Sequence, residues 1–123
     1  VRLLCKECKH EAKVDDATLK RVKSILANLP KINGYSADTH KLKFYTAPGC
    51  KACNNLGYSG RIGIYEVLTV TPEIENAMLA ADHSASDIEE LAIKAGMVTM
   101  VQDGVLKALE GITSLEEVFN VAE

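Results

Sequence analysis

The feature that most constrains this chain is the arrangement of its four cysteines, which form two Cys-x-x-Cys pairs. Cys5 and Cys8 stand in LCKECK, and Cys50 and Cys53 stand in GCKACN. Two residues between cysteines allow a tight turn to direct both sulfurs at one centre, and two such turns complete a tetrahedron around a metal ion. The 41 residues between the pairs (9 to 49) exceed the common spacing of about 15 to 20. We therefore expect a helix and a strand in the gap to bring the two turns together.

Zinc is the favoured occupant of such a site, as one structural ion. Four thiolates close the coordination shell, whereas a catalytic zinc keeps one position open for water. Two disulfides would require an oxidising compartment, and the chain opens without the apolar run and cleavage pattern of a signal peptide. A redox dithiol would need only one pair, at a helix N-terminus beside a βαβ unit. Iron remains an alternative, because tetrahedral sulfur sites bind both metals.

Residues at catalytic spacing are missing from the sequence. His10, His40 and His83 have no such partner, and we assign none of them a mechanism, although His10 stands close enough to the first cysteine pair to replace a sulfur. No G-x-x-x-x-G-K-[ST] loop is present, and GYSGRIG lacks the lysine and hydroxyl that such a loop uses. Arg61 and Glu66 lie on opposite faces of a predicted strand by alternation. We interpret both as structural charges.

The net charge of −3 hides two halves of opposite sign. Residues 1–60 contain 11 Lys or Arg against 5 Asp or Glu, a balance of +6, and residues 61–123 contain 3 against 12, a balance of −9. A basic half is compatible with nucleic-acid binding, but its lysines are spread out and its aromatic residues are few. We favour a role beside the metal site, where lysines offset the double negative charge of zinc with four thiolates. Those lysines are Lys6, Lys9, Lys13 and Lys51.

Residues 1–70 are predicted to form a zinc-binding lobe with one helix and a small antiparallel sheet. DDATLKRVKSILANLP has apolar residues at the helical period, with Asp15 or Asp16 as N-cap and its closing proline as a stop. The polar stretch 31–41 is predicted as a loop. A strand is predicted from Leu42, in LKFYTA.

The segment Arg61–Val70 is predicted as a mostly buried strand, because Ile, Val, Tyr and Thr dominate it. Gly57, Gly60 and Gly63 surround this segment. We expect these glycines to allow backbone to approach the metal loop closely, or to turn with positive φ.

Residues 71–123 are predicted to form a C-terminal subdomain, a bundle of about four short helices. Thr71 and Pro72 give an N-cap followed by proline at the first helical position. Three further pairs have the spacing of the capping box, in which each side chain satisfies a free backbone N–H. They are Ser86 with Glu89, Thr99 with Gln102, and Thr113 with Glu116.

Glycines mark two helix ends and one crossing. Gly96 and Gly111 follow helical patterns and are predicted to close the last turns. Gly104 lies inside a helix, where glycine costs about 1 kcal/mol relative to alanine, and we expect another helix to cross closely there. The predicted class is α+β, with the two lobes packed as one unit.

The chain shows neither a membrane span nor a natural start. No run approaches 18 consecutive apolar residues, so we expect no membrane insertion and a cytosolic location. The chain lacks an initiating Met and opens in mid-pattern with Val1, Leu3 and Leu4. We therefore expect it to be a fragment of a longer protein.

Three blocks of this sequence carry a family resemblance. They are RLLCKECK (Arg2–Lys9), GCKACNNLGYSGRIGIYEVL (Gly49–Leu68) and GMVTMVQDGVLKALEGITSLEEVFNV (Gly96–Val121). Taken in order over nearly the full length, the chain resembles the C-terminal portion of the traffic ATPases that drive type II secretion and type IV pilus assembly, the GspE/PilB family. Retraction ATPases of pilus systems lack the four-cysteine module, so the resemblance favours the secretion or assembly branch.

The resemblance implies a hexameric cytosolic ATPase at the inner face of the bacterial inner membrane, working on a membrane platform protein. Its RecA-like core, which binds ATP and Mg²⁺, would precede Val1, and none of the catalytic motifs falls within this chain. Cys5, Cys8, Cys50 and Cys53 match the family's zinc ligands. The chain is thus expected to be a non-catalytic structural module. A freestanding zinc-ribbon-like adaptor for nucleic acid or protein is the alternative, and an enzyme ranks third.

Overall fold

The computed structural model describes residues 1–30, 42–80 and 84–122. Within these ranges the elements are β1 (Arg2–Leu4), β2 (His10–Ala12), α1 (Asp16–Ala27), β3 (Phe44–Thr46), β4 (Tyr58–Arg61), α2 (Pro72–Leu79), α3 (Ala85–Lys94), α4 (Met100–Leu109) and α5 (Leu115–Ala122). The predicted α+β class, with four helices after the cysteine-bearing part, is confirmed. The predicted loop 31–41, His40 and His83 lie outside the described residues.

The strands form two separate antiparallel ladders. β1 pairs with β4 and β2 pairs with β3, with Arg2 opposite Arg61 and Ala12 opposite Phe44. The first cysteine pair lies between β1 and β2, and the second lies between β3 and β4. Each ladder therefore joins the flanks of the two cysteine turns, which explains how a gap of this length still brings them together.

The main core connects the inserted helix α1 with the end of the chain. The Asp15 carboxylate accepts from the Thr18 backbone N–H at 3.1 Å, so the predicted N-cap is confirmed. Buried residues of α1, β3, α4 and α5 form one cluster, which comprises Val22, Leu26, Phe44, Val105, Ala108, Leu115 and Val118. A second, smaller cluster joins α2 to α3 and comprises Ile74, Ala92 and Met97. The boundary at residue 70 stays a prediction.

The predicted starts of α2 and α4 are confirmed, and the start predicted for α3 lies two residues too late. Thr71 caps α2 with Pro72 in its first turn, and Thr99 forms the predicted capping box of α4. The predicted pair of Ser86 with Glu89 is wrong, because α3 begins two residues earlier. The Asp87 carboxylate accepts from the Ser84 N–H at 2.7 Å and closes a box of the same spacing there. The Ser86 hydroxyl instead bonds the Ser84 hydroxyl at 2.8 Å.

The predicted start of α5 at Thr113 is wrong by one residue. The Ser114 hydroxyl accepts from the Glu117 backbone N–H at 3.2 Å, and α5 begins at Leu115. The Thr113 hydroxyl does not cap α5, because it donates a hydrogen bond to the Arg2 carbonyl at 2.8 Å.

The predicted glycine roles in the helical part are confirmed. Gly96 and Gly111 follow α3 and α4 with φ of 102° and 69°. At Gly104, which is buried in α4, an added Cβ would lie 2.6 Å from Cγ1 of Val118 on α5. The two helices thus cross in close contact at this glycine.

The predicted buried strand Arg61–Val70 is wrong. β4 ends at Arg61, and residues 62–70 have no strand assignment and largely exposed side chains. The exposed fraction reaches 65% for Tyr65 and 72% for Val67. The physical reason is that the ladder with β1 reaches only Ile62, which pairs with Val1.

No helix of the described residues combines the length and apolar character needed to cross a bilayer.

Candidate metal centre

The four cysteine sulfurs converge, as their spacing predicts. All four Sγ atoms lie within 4.8 Å of one another. Cys5 Sγ lies 3.8 Å from Cys50 Sγ, and Cys8 Sγ lies 3.9 Å from Cys53 Sγ, so each sulfur of one turn neighbours a sulfur of the other. Cys5 and Cys53 are buried, and Cys8 and Cys50 are partly exposed.

The separations between sulfurs suit a shared metal ion. With metal–sulfur bonds of about 2.3 Å, the edge of a regular tetrahedron is about 3.8 Å. The closest pairs, which include Cys50 with Cys53 at 3.7 Å, match that edge. A disulfide would require about 2.05 Å, and all four cysteines are free. The cluster can therefore hold one metal ion, although ligation by each sulfur stays a prediction.

In the second cysteine turn, backbone N–H groups donate hydrogen bonds to the Cys53 sulfur. A single 3₁₀ turn, Lys51–Cys53, lets the Cys50 N–H donate to Cys53 Sγ at 3.1 Å, and the Gly57 N–H donates to the same sulfur at 3.3 Å. Burial by itself raises the pKa of the Cys53 thiol, but these two N–H groups, together with hydrogen bonds from the Cys50 and Cys5 side chains, lower its pKa to about 6. Backbone N–H groups thus favour the thiolate that a metal ion binds.

In the first cysteine turn, the causes that raise the pKa of the Cys8 thiol outweigh those that lower it. Burial, together with hydrogen bonds to the other three sulfurs, raises the pKa of the Cys8 thiol to about 12, against a smaller lowering by the Gly49 N–H. Several thiols packed together oppose simultaneous ionisation, because like charges repel. A bound cation is the natural means of stabilising all four thiolates at once.

Gly57 joins the two turns where no side chain would fit. Its φ is +75°, and an added Cβ would lie 2.3 Å from the Ala47 carbonyl oxygen. Its own carbonyl accepts from the Cys5 N–H at 2.9 Å. The same residue therefore touches both turns, with its N–H on Cys53 and its carbonyl on Cys5.

The turn between α4 and α5 braces the first cysteine turn. The Leu4 N–H donates to the Ile112 carbonyl at 2.9 Å, and Lys9 Nζ donates to the Gly111 carbonyl at 3.0 Å. Lys9 is one of the lysines expected to offset sulfur charge, and its ammonium is engaged here, with the Tyr45 ring 5.6 Å away. The offset by Lys6, Lys13 and Lys51 stays a prediction.

A polar network that the sequence analysis missed connects β1 to α5. The Glu117 carboxylate is buried, accepts from the Arg2 backbone N–H at 2.9 Å and forms an ion pair with the Arg2 guanidinium. Hydrogen bonding from Arg2 lowers the pKa of Glu117. The Arg2 guanidinium also lies 4.2 Å from the Tyr58 ring centre, and the Tyr58 hydroxyl bonds the Ser114 hydroxyl at 2.9 Å. Because Arg2 and Glu117 are 115 positions apart in the sequence, no local pattern signals this contact.

The remaining candidates lie away from the sulfur cluster. His10 Nδ1 lies 3.5 Å from the Cys8 carbonyl oxygen, and the ring is not a member of the cluster. The Glu66 carboxylate accepts from the Met100 N–H at 3.1 Å, where the helix dipole of α4 favours a negative charge. The structural role expected for Glu66 stays a prediction, and this partner could not be read from strand alternation.

Comparison with known proteins places the chain in a family. The family model described as "Type II/IV secretion system protein" matches residues 1–120. The chain is 42% identical to the type IV pilus assembly ATPase PilB of Thermus thermophilus over 96% of its length, and 38% identical to PilB of Pseudomonas aeruginosa over 99%. It is 33% identical to the type II secretion system ATPase E of Vibrio cholerae over its whole length. It spans 12%, 19% and 22% of these relatives. The resemblance of the three sequence blocks is confirmed, and the chain belongs to the type II/IV secretion system protein family.

Proposed function

We propose that this chain is the non-catalytic, zinc-stabilised module and C-terminal subdomain of a hexameric traffic ATPase that powers type II secretion or type IV pilus assembly. The observation that carries the proposal is the convergence of four cysteine sulfurs at tetrahedral spacing in a chain that matches this family over residues 1–120. Relatives of both branches are similar over nearly the whole chain, so the proposal covers both.

The metal in this proposal is one structural zinc ion held by Cys5, Cys8, Cys50 and Cys53. Four sulfurs close the shell and leave no position for water or substrate. Among the buried residues of the main core, the two ladders beside the cluster contribute Phe44 of β3, and the others lie on α1, α4 and α5. Metal binding would therefore supply the folding free energy that a larger apolar interior supplies elsewhere.

The mechanical role follows from how the metal centre is braced. Metal–ligand bonds would join the two cysteine turns, while Arg2 and Lys9 bond α5 and the turn before it. The metal centre and the last two helices thus move as one body. We propose that a preceding RecA-like core of the same protein binds ATP and Mg²⁺, and that this body relays its motion within the hexamer. The inner-membrane platform protein is the proposed partner, and the cytoplasmic face of that membrane is the proposed location.

Metal analysis of the full-length protein tests the proposal. Inductively coupled plasma mass spectrometry is expected to find one zinc per chain, and Cys5→Ser is expected to lose it. His10→Ala is the matched control, because it lies beside the first cysteine pair without joining the cluster, and it is expected to keep its zinc. Iron in place of zinc would be revealed by elemental analysis and by visible absorption. Protein free of transition metal, or loss of metal in His10→Ala alone, would overturn the four-cysteine zinc site.

A further inference from the structure

The segment 62–70, here called the unpaired segment, exposes apolar side chains that its composition would place in a sheet. Val67, Leu68 and Val70 are exposed by 72%, 41% and 56%. Exposed apolar side chains gathered on one part of a surface are a feature of sites where other protein packs. β-branched and aromatic residues also fit a pleated strand. The missing feature is a strand beside it.

The register of β1 with β4 identifies the position of that strand. Ile62 N–H donates to the Val1 carbonyl at 3.0 Å, and the Val1 nitrogen donates to the Ile62 carbonyl at 3.0 Å. This reciprocal pair continues the register in which Arg2 lies opposite Arg61. The ladder therefore stops at Val1 on one side, while its partner continues through the unpaired segment.

The alternation of an antiparallel ladder then assigns an edge to each backbone group. Residues that exchange hydrogen bonds with a partner strand alternate with residues that face the other edge. Since Ile62 faces β1, the N–H groups of Ile64, Glu66 and Leu68 face the same edge. The Tyr65 N–H should face away, and it does, because it donates to the Asp103 carboxylate of α4 at 2.9 Å.

The side chains show the same period of two. Tyr65, Val67 and Thr69 all line a cleft of about 500 Å³ against α3 and α4. Alternate residues on one side are the property of an extended strand. Beyond Ile62, the unpaired segment thus has a strand-like conformation and packs against α3 and α4.

We propose that the residues directly preceding Val1 in the longer protein extend β1 and pair antiparallel with residues 63–70. The register places the residue before Val1 opposite Gly63 and the next one opposite Ile64. Continuity with the β1–β4 ladder carries this choice, together with the length of the PilB and type II secretion relatives, of which the chain spans 12%, 19% and 22%. The proposal rests on the proposed function only in that a core precedes Val1.

The pairing gives the preceding core a direct connection to the helical part. The strand would bond the core along one edge. On its other side Tyr65 and Glu66 already bond Asp103 and the Met100 N–H of α4. Displacement of the core strand would therefore move α4 without passing through the metal centre.

Hydrogen exchange on the full-length protein tests the pairing, with mass-spectrometric fragmentation that resolves single residues. The amides of Ile64, Glu66 and Leu68 are expected to exchange at least about tenfold more slowly than those of Val67 and Thr69. Uniformly fast exchange, or slow exchange of the opposite set, would overturn the proposal. Protection that disappears on dilution while zinc stays bound would assign the edge to a second copy and would also overturn it. Zinc content measured on the same sample separates this outcome from failure of the metal site.

A proline pair provides the second test. Leu68→Pro removes an N–H that faces the proposed strand, whereas Val67→Pro removes the neighbouring N–H on the opposite edge. Leu68→Pro is expected to speed exchange at Ile64 and Glu66 at least about tenfold, and Val67→Pro is expected to leave both amides protected. Equal effects of the two prolines would contradict the assigned register.

Discussion

Replacement of Gly104 by alanine tests the helix crossing that holds α5 against the rest of the molecule. The added methyl group would lie 2.6 Å from Cγ1 and 3.2 Å from Cγ2 of Val118, which is fully buried. Valine is stiff at χ1, so its methyl groups cannot rotate away freely. The helices must separate, or the valine must leave its preferred rotamer.

Two opposing terms set the magnitude of this change. Alanine improves helix propensity by about 1 kcal/mol over glycine. Overpacking of a filled core costs about 1–3 kcal/mol, and a contact of 2.6 Å to a buried branched residue belongs within that range. With a cost near the middle of the range, Gly104→Ala is expected to lower the free energy of unfolding by about 1 kcal/mol.

Equilibrium urea unfolding followed by circular dichroism, in buffer containing zinc, measures the effect. The matched control is the same change in a Val118→Ala background, where the contacting methyl groups are gone. There Gly104→Ala is expected to stabilise by about 1 kcal/mol through propensity alone, which gives a coupling energy of about 2 kcal/mol between the sites. Stabilisation by Gly104→Ala in the wild-type background would refute the close crossing.

Two further predictions concern the connection of β1 to α5 and the metal turns. The Glu117 pKa is lowered by Arg2, so its stabilising contribution is present at neutral pH and is lost as pH falls through this lowered pKa, below about pH 4.3. Urea unfolding between pH 3 and 7 should therefore show that Glu117→Gln has a lower free energy of unfolding than the wild type at neutral pH, and that this difference shrinks in acid. Glu116→Gln, at an exposed neighbouring residue, should show no such pH dependence. A difference for Glu117→Gln that does not change with pH would contradict the ion pair. Gly57→Ala should weaken zinc retention against a chelator much more than Gly60→Ala. Both glycines have positive φ, but only at Gly57 would the methyl meet a carbonyl oxygen, at 2.3 Å, and equal effects would count against that contact.

The sequence determined the features that depend on neighbours along the chain. The Cys-x-x-Cys spacing predicted that four sulfurs converge, and Asp15, Thr71 and Thr99 predicted helix starts, because a capping side chain bonds a backbone N–H only three residues away. Gly104 was also informative. Because glycine lowers helix stability, its presence inside α4 predicted close packing. The sequence did not identify Val118 as the contacting residue.

Tertiary structure decided every contact that bridges distant parts of the chain. Thr113 has the capping spacing, yet its hydroxyl bonds Arg2, and the buried Glu117 pairs with the same residue across 115 positions. The strand predicted at Arg61–Val70 shows the limit most clearly. Composition favours a strand there, but a strand exists only where a second chain segment supplies hydrogen bonds, and among the described residues β1 supplies them as far as Ile62. Hydrogen bonds between residues close in sequence can therefore be predicted from this sequence. Pairing between distant segments depends on which of them the whole fold brings together.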